Sequence, residues 1–235
     1  MKISRLGLIF ICSLLLSPFA VAQHNLLSNG NFDTGDLTGW NVVNSGAGAF
    51  TVYNGPGAPF SGAPIPLPPS GPYASLADQG GPGSHILYQD VTLPNDGEAI
   101  FLSFLLYYNN QASAWLDDGS LSEVNNPNQQ LRIDIMDPNA PVDDVGAGVL
   151  LNILKPTGND EFVFGYAPVG ADLSAFAGQT VRLRFAEVDN QFFFQVAVDD
   201  VVISHPQDVP ATQPATLTLL VLGIMLFAGV ILRRA

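Results

Sequence analysis

The sequence predicts an all-β protein: a two-sheet antiparallel sandwich, with a signal peptide before it and one transmembrane helix after it. The middle of the chain combines Val, Leu and Phe with many Gly, Pro, Asn and Asp residues, which is typical of short strands joined by turns. No long stretch of this middle part has the helical period of apolar residues. Both ends, at residues 6–22 and 215–232, are strongly apolar.

Residues 1–22 have the three parts of a secretory signal peptide. Lys2 and Arg5 form a charged start, residues 6–16 form an apolar run, and the Ala-Val-Ala sequence at 20–22 supplies the small residues that signal peptidase requires. We therefore expect cleavage before Gln23. The alternative is an uncleaved membrane anchor, for which the apolar run is short.

Residues 23–208 are expected to fold as one sandwich domain of about eight strands. Alternation over the nine residues 180–188 indicates a strand, and the apolar stretch 99–108 indicates a central strand buried on both faces. A short helical turn is expected at 172–176. The Pro- and Gly-rich stretch 55–72 and the Asn- and Asp-rich stretch 109–129 are expected to be long surface loops. The predicted strands are 49–54, 73–77, 85–93, 99–108, 131–135, 148–154, 180–188 and 192–203.

The charge of the domain excludes one class of partner. Residues 23–208 contain four basic residues and all 21 acidic residues of the chain, so their formal charge is −17. A surface this acidic repels phosphate backbones, and we expect no nucleic-acid binding. The one cysteine, Cys12, lies in the signal peptide, so no disulfide can stabilise the mature domain.

The C-terminus predicts a membrane-spanning tail. Residues 217–232 contain no charge and are followed by Arg233-Arg234, which stay cytoplasmic by the positive-inside rule. The helix with its basic end, 217–235, follows a Pro-containing linker at 209–216 that reads Val-Pro-Ala-Thr-Gln-Pro-Ala-Thr. This layout resembles the PEP-CTERM sorting signal of Gram-negative bacteria, although Gln213 stands where that motif has Glu.

The tail resemblance implies an address and a partner. An exosortase-type enzyme would process the tail, and the domain would lie outside the inner membrane or be released to the cell surface or extracellular matrix. A plain single-pass anchor is the alternative for the tail.

The two ends of the domain resemble one fold family. The opening N-G-N-F-D-T-G-D-L-T-G-W (29–40) and the two closing segments D-L-S-A-F-A-G-Q-T-V-R-L-R-F-A-E (172–187) and F-Q-V-A-V-D-D-V-V-I (194–203) are similar to those of galactose-binding-like jelly rolls. Many carbohydrate-binding modules belong to this group. The resemblance implies a jelly-roll topology and a structural calcium ion that joins the opening motif to the last strand.

Three acidic residues match the calcium positions of that family: Asp33, Asp199 and Asp200. Neighbouring residues of a strand project to opposite faces, so we expect Asp199 to bind and Asp200 to be solvated. The alternative is that Asp33 caps a turn and Asp199 faces water. A second acidic cluster, Asp117, Asp118 and Glu123, lacks the spacing of an EF-hand loop and is expected to be a solvated loop.

Aromatic side chains are the candidate sugar contacts. Trp115 lies in a polar stretch and is the first candidate, followed by Tyr107 and Tyr53. Packing in the sandwich core is the alternative for each of them. In the run 192–194 all three residues are Phe, and strand alternation is expected to expose the middle one, Phe193.

No catalytic motif is present in the sequence. His24, His85 and His205 form no His-Glu-x-x-His motif, no Gly-x-Ser-x-Gly elbow occurs, and the mature domain has no cysteine nucleophile. We therefore expect no enzyme activity and no catalytic residues. The expected function is that of an exported envelope or matrix protein whose jelly-roll domain binds polysaccharide. A glycan-active hydrolase and a purely structural matrix component are the alternatives.

Overall fold

The computed structural model describes residues 23–124 and 126–206, and these residues form eleven β-strands. A 3-10 turn at Ser174–Phe176 lies where the sequence predicts a helical turn. Within this part of the chain, no helix has the length and apolar character needed to cross a membrane. The predicted signal peptide (1–22), linker (209–216) and transmembrane helix (217–235) lie outside the described residues. The strands are β1 Gln23–Asn25, β2 Asn41–Gly46, β3 Ala49–Tyr53, β4 Ala74–Asp78, β5 Gly83–Thr92, β6 Phe101–Asn110, β7 Gln129–Met136, β8 Val149–Leu154, β9 Val163–Asp172, β10 Thr180–Asp189 and β11 Phe194–Pro206.

The strands form two antiparallel sheets. The first sheet has the order β3-β4-β11-β6-β9, with β1 paired to the last residues of β11. The second sheet has the order β2-β5-β10-β7-β8. Strands that are neighbours in space are mostly distant in sequence, as in a jelly roll. The predicted fold class, an all-β two-sheet antiparallel jelly-roll sandwich, is confirmed.

The main core lies between the inner faces of the two sheets. Strand β10 alternates as the sequence predicts, and Val181, Leu183 and Phe185 are fully buried in this core. Phe185 packs edge-on against Phe104 of β6, with ring centroids 5.3 Å apart. Edge-on aromatic pairs stabilise a core beyond their buried area. The residues of β10 that follow on this same inner face are therefore directed to one end of the sandwich.

A buried arginine fixes the loop over the outer face of the second sheet. Arg184 is fully buried and forms an ion pair with Asp134 of β7. Its guanidinium also donates hydrogen bonds to the carbonyl oxygens of Val142 (2.6 Å) and Asp144 (2.8 Å). These contacts hold the 137–148 loop against the sheet and satisfy a charge that would otherwise be costly to bury.

The predicted loop 55–72 is present and covers part of the outer face of the first sheet. The Asp78 carboxylate, at the end of β4, accepts hydrogen bonds from the backbone N–H groups of Phe60 (2.8 Å) and Ser61 (2.9 Å). Ile65 is buried against the sheet. The loop therefore has a fixed course, and its residue Phe60 is held at the end of β4.

Three strands, β1, β2 and β9, are not predicted from the sequence. Strand β2 is an edge strand that is largely exposed, so it lacks an alternating pattern. Strand β9 contains Gly165, Pro168 and Gly170, which are unfavourable in a strand interior. These residues are tolerated because β9 is also an edge strand, paired only with β6 among the described strands.

The prediction that 99–108 is buried on both faces is wrong for its first half. Strand β6 lies in the interior of the first sheet, yet Phe101 is 49% exposed and Ser103 is also exposed. The cover provided by the 55–72 loop reaches Tyr107, further along the strand, which is buried. Burial of the outer face thus depends on a loop and not on the strand's own sequence.

The prediction that 109–129 is a surface loop is wrong for part of this stretch. Leu116 and Gln129 form an antiparallel bridge, with N–O distances of 3.0 and 2.8 Å, which turns the chain back on itself. Trp115 and Leu121 are buried next to this turn. The stretch therefore contributes to the core although its composition is polar.

Candidate functional site

The three predicted calcium ligands lie near one another, around the end of the 55–72 loop. The Asp199 carboxylate accepts hydrogen bonds from the backbone N–H groups of Asp200 (2.7 Å) and Ser70 (3.3 Å). Asp33 lies beside the next residue, Gly71, where a Cβ atom would be only 2.0 Å from Asp33 Oδ1. The fold thus brings the opening motif and the last strand together, as the family resemblance implies.

The charges of this neighbourhood fit a cation. Burial raises the pKa of Asp199 to about 7, and the carboxylates of Asp200 and Asp33 act in the same direction. Carboxylate oxygens are the ligands that calcium prefers, and a bound cation would offset this accumulated negative charge. Within residues 23–124 and 126–206, no three His, Cys, Asp or Glu side chains form a group that could hold a metal ion. Calcium there would need backbone carbonyl oxygens besides two carboxylates.

Trp115, the first candidate sugar contact, is part of the main core. Its ring stacks on Phe162 at 5.8 Å and meets Tyr108 and Phe194 edge-on at 5.6 and 5.5 Å. The indole N–H donates a hydrogen bond of 3.3 Å to the carbonyl oxygen of Asp160. The residue is 7% exposed, so in this conformation its ring faces are covered by protein.

Tyr53 and Tyr107 belong to a separate buried cluster under the 55–72 loop. The Tyr53 hydroxyl donates a hydrogen bond to the Pro66 carbonyl oxygen at 2.9 Å and lies 2.6 Å from the Tyr166 hydroxyl. Tyr107 packs against Tyr166, with ring centroids 5.6 Å apart. A role for these rings in sugar binding stays a prediction, and it would require the loop to move.

The second acidic cluster is bonded to partners in its own loop and in neighbouring segments. Asp118 accepts hydrogen bonds from Ser120 and from the Asn128 amide, and Asp117 forms an ion pair with Lys155. Glu123 accepts a hydrogen bond of 2.6 Å from the Ser45 hydroxyl. These bonds account for the acids without a metal ion.

A cleft of about 520 Å³ opens at one end of the sandwich. It is lined by parts of three segments, at 60–63, 79–82 and 189–193, which come from three distant places in the sequence. Its volume is within the range of small-molecule sites. We call it the end cleft.

Two exposed phenylalanines line the end cleft. Phe60 is 53% exposed, and its backbone is fixed by Asp78 as described above. Phe192 is 62% exposed, and the buried Gln129 side chain holds its backbone by accepting from its N–H (3.3 Å) and donating to its carbonyl oxygen (3.0 Å). Well-placed aromatic side chains in contact with water are suited to stack on a ligand.

The prediction that alternation exposes Phe193 most is wrong. Strand β11 begins at Phe194, so Phe192 and Phe193 lie in the preceding turn and alternation does not apply to them. Phe193 is half-buried and Phe194 is fully buried in the main core. The exposed ring is therefore that of Phe192.

The deeper part of the end cleft is polar. Gln79 and Asp189 line it although both side chains are nearly fully buried. Asp189 accepts a hydrogen bond of 2.8 Å from the Gly83 N–H, and Gln79 donates one of 3.4 Å to the fully buried Glu187. Among the described residues, Gln79 Oε1 and Glu187 Oε2 have no hydrogen-bond partner. Buried polar atoms of this kind are costly and point to a ligand or to ordered water.

Gln79, Glu187 and Asp189 are not predicted as site residues from the sequence. A signal was present, because Glu187 and Asp189 continue the period-two series of Val181, Leu183 and Phe185 on the core-facing side of β10. Acids at core-facing positions of a strand are unusual and indicate a special environment.

No protein-family model and no curated protein sequence matches the chain. Solved structures do match. The K3 cleaved adhesin domain of Lys-gingipain from Porphyromonas gingivalis is 13% identical, with a TM-score of 0.50 over 78% of this chain and 99% of that one. TmCBM61 in complex with β-1,4-galactotriose is 16% identical, with a TM-score of 0.46 over 77% and 97%. The CBM22-1 xylan-binding domain of Xyn10C from Paenibacillus barcinonensis is 12% identical, with a TM-score of 0.43 over 81% and 99%. The likeness to the adhesin domain concerns the fold.

Proposed function

We propose that this chain is an exported cell-envelope or extracellular-matrix protein whose sandwich domain binds polysaccharide without cleaving it. The observation that carries the proposal is the end cleft, which combines exposed aromatic rings with a buried polar interior. The C–H faces of a sugar ring pack on aromatic rings, while its hydroxyl groups need hydrogen-bonding partners. Phe60 and Phe192 offer the first kind of contact, and Gln79 and Asp189 offer the second.

The composition of the end cleft favours binding over hydrolysis. Glycoside hydrolysis ordinarily needs two carboxyl groups that flank the scissile bond, about 5–10 Å apart. Of the described residues that line the end cleft, Asp189 is the acidic one, whereas Glu187 is fully buried behind it. A ligand can therefore reach one carboxyl group there.

The proposed address rests on the two ends of the sequence. The signal-peptide pattern at 1–22 supports export, and the sorting motif with its apolar helix and arginines at 209–235 supports membrane anchoring and processing by an exosortase-type enzyme. Cell fractionation of a tagged chain tests this part, and recovery of the unprocessed chain in the cytoplasm would contradict it.

Binding is tested with the full chain in a non-glycosidic detergent, on a panel of oligosaccharides and polysaccharides. We expect at least one glycan to bind, without release of new reducing ends. Phe192→Ala should weaken this binding by about twofold to tenfold, because one aromatic stacking contact contributes roughly 0.5–1.5 kcal/mol.

The matched control is Phe101→Ala. Phe101 is similarly exposed but lies at the other end of β6 from Asn110, the residue that pairs with Phe194 beside the end cleft. Binding should be unchanged in this variant. Equal losses in both variants, or no binding by the unmodified chain, would contradict the proposed site.

We further propose that calcium binds between Asp33 and Asp199, with backbone carbonyl oxygens nearby, and that Asp200 contributes through its charge. The ion would supply a cation where buried and neighbouring carboxylates accumulate. A hundredfold excess of calcium over its dissociation constant should stabilise the chain by about 2.7 kcal/mol, seen as a higher melting temperature than with a chelator.

Asp33→Ala tests the calcium assignment, since Asp33 is exposed and its replacement should not prevent folding. The calcium-dependent shift should disappear in this variant and persist in Glu98→Gln, an exposed acid on another loop. Without a shift in the unmodified chain, the calcium proposal is wrong.

A further inference from the structure

The acids at the end cleft lie on the core-facing side of one strand. Glu187 and Asp189 are two residues apart on β10, on the same side as Phe185, and both are buried. Gln79 is the residue after β4. It lines the end cleft and donates a hydrogen bond to Glu187, so it lies between the two. Neither Gln79 Oε1 nor Glu187 Oε2 has a hydrogen-bond partner among the described residues. The described side chains therefore do not satisfy all the hydrogen-bonding atoms of this polar interior.

Among the residues that the structure describes, no cationic side chain compensates these acids. The residues that line the end cleft include no Lys, Arg or His among those described. The four Lys and Arg side chains of the described domain each pair with an acid elsewhere: Arg132 and Arg184 with Asp134, Lys155 with Asp117, and Arg182 with Asp90. The polar interior of the end cleft is therefore acidic without a counter-charge.

The groups around the pair add no positive charge near neutral pH. His85 is directly opposite Glu187 on β5, and burial lowers the pKa of this histidine, which keeps it neutral. The opposite neighbours on β7, Leu131 and Gln129, are uncharged. Asp78 raises the pKa of Glu187, and Glu123 raises that of Asp189.

The protonation of the pair follows from this environment. Burial raises the pKa of Asp189 to about 7 and that of Glu187 well above its usual range. Near neutral pH the pair therefore holds protons that exposed acids would have lost. Carboxyl groups can exchange hydrogen bonds with sugar hydroxyls in either protonation state. Once the pH rises above about 7 and Asp189 loses its proton, a ligand carboxylate would add a like charge in a poorly solvated place.

We propose that Glu187 and Asp189 make the end cleft selective for neutral sugars and reject sugars that carry a carboxylate. This inference rests on the polysaccharide binding proposed above and specifies the chemical class of the ligand. The acid pair acts by charge: Asp189 contacts the ligand, and Glu187 acts through Asp189 and Gln79.

Matched glycan pairs test the selectivity. The full chain is titrated at about pH 8, above the raised pKa of Asp189, with cellohexaose and β-1,4-linked glucuronic acid hexamer, and with β-1,4-mannohexaose and β-1,4-linked mannuronic acid hexamer. The neutral member of a pair that binds should bind at least about tenfold more tightly than the acidic member.

Substitution of the acids tests their role. In the double variant Glu187→Gln/Asp189→Asn, the preference for the neutral member should fall to within about threefold. In Asp189→Asn alone the preference should fall by a smaller factor. Glu98→Gln, an acid on a loop before β6, should keep the full preference. Melting curves at the same pH check that the variants are folded.

The outcomes separate the two proposals. Acidic hexamers that bind as tightly as neutral ones, or a preference that survives in the double variant, would overturn the selectivity but leave polysaccharide binding standing. Failure of all four hexamers and of the wider panel would overturn the polysaccharide binding and the selectivity with it.

Discussion

At the scale of single residues, the indole of Trp115 illustrates how a polar stretch can supply a core side chain. Phe162 covers one face of the ring at 5.8 Å, and Tyr108 and Phe194 meet it edge-on. Trp115→Ala should therefore lower the free energy of unfolding by about 3–5 kcal/mol, as for other large aromatic residues in cores. Chemical denaturation measures this loss.

The same variant also distinguishes packing from recognition at Trp115. Under conditions where Trp115→Ala is still folded, its glycan affinity should stay close to that of the unmodified chain. A large loss of affinity with little change in stability would instead support the sequence-based prediction that Trp115 contacts sugar.

Glu187 shows what the sequence could have supplied for the site and what it could not. Its core-facing position follows from the alternation of β10, so a buried acid was predictable in principle. The partners that make it a site were not, because Gln79 and Phe60 come from segments more than a hundred residues away in sequence. Only the pairing of the strands brings these residues to one end of the sandwich.

At the scale of elements, the turn that contains Gly30 is in close backbone contact with the bulged part of β11 at Val201. Val201 donates a hydrogen bond of 2.8 Å to the Gly30 carbonyl oxygen, and a Cβ atom on Gly30 would lie 1.9 Å from the Val201 carbonyl oxygen. The register of β11 against β6 shifts between Asp199 and Val202, and Asp200 has a φ of 49° within this bulge. The bulge lets the backbone of Val201 meet the turn.

Gly30→Ala should therefore separate the turn from β11 and destabilise the domain by about 1–3 kcal/mol, the usual cost of overpacking. The control is Gly55→Ala, because a Cβ atom on Gly55 would have no heavy atom within 4 Å among the atoms considered. Equal melting temperatures of the two variants would contradict this account. If calcium binds at Asp33, Gly30→Ala should also lower the affinity for calcium.

Strand prediction succeeded where burial decides the pattern. The alternating stretch 180–188 lies within β10 Thr180–Asp189, a strand between β5 and β7 with one face in the main core. It failed at β2 and β9, whose polar, Gly or Pro residues carry no such pattern because one edge of each strand is unpaired among the described strands. At these edges the hydrogen bonds of the neighbouring strand, and not the side chains, define the element.

At the scale of the whole molecule, the buried acids predict how stability depends on pH. The folded state keeps protons on Glu187 and Asp189 above the pH at which the unfolded chain releases them. Their contribution to stability is therefore present below about pH 4 and is lost as the pH rises through about 7. The melting temperature should fall between about pH 5 and pH 8.

Other acids act in the opposite direction at lower pH. Hydrogen bonds lower the pKa of Asp36, Asp144 and Asp172, so their contribution is lost on acidification below about pH 4. Stability should thus be greatest near pH 4. The double variant Glu187→Gln/Asp189→Asn should flatten the slope on the alkaline side, and an unchanged slope would show that other groups cause it.

The pairing of β1 with the last residues of β11 places both termini of the described domain at one end of the sandwich. Gln23 lies opposite Pro206, so the chain enters and leaves the sandwich at one place. The end cleft adjoins the start of β11, thirteen residues of strand away, which corresponds to roughly 40 Å. The two termini of the described domain therefore lie at the opposite end of β11 from the end cleft, and attachment through either terminus would leave the proposed binding cleft unobstructed.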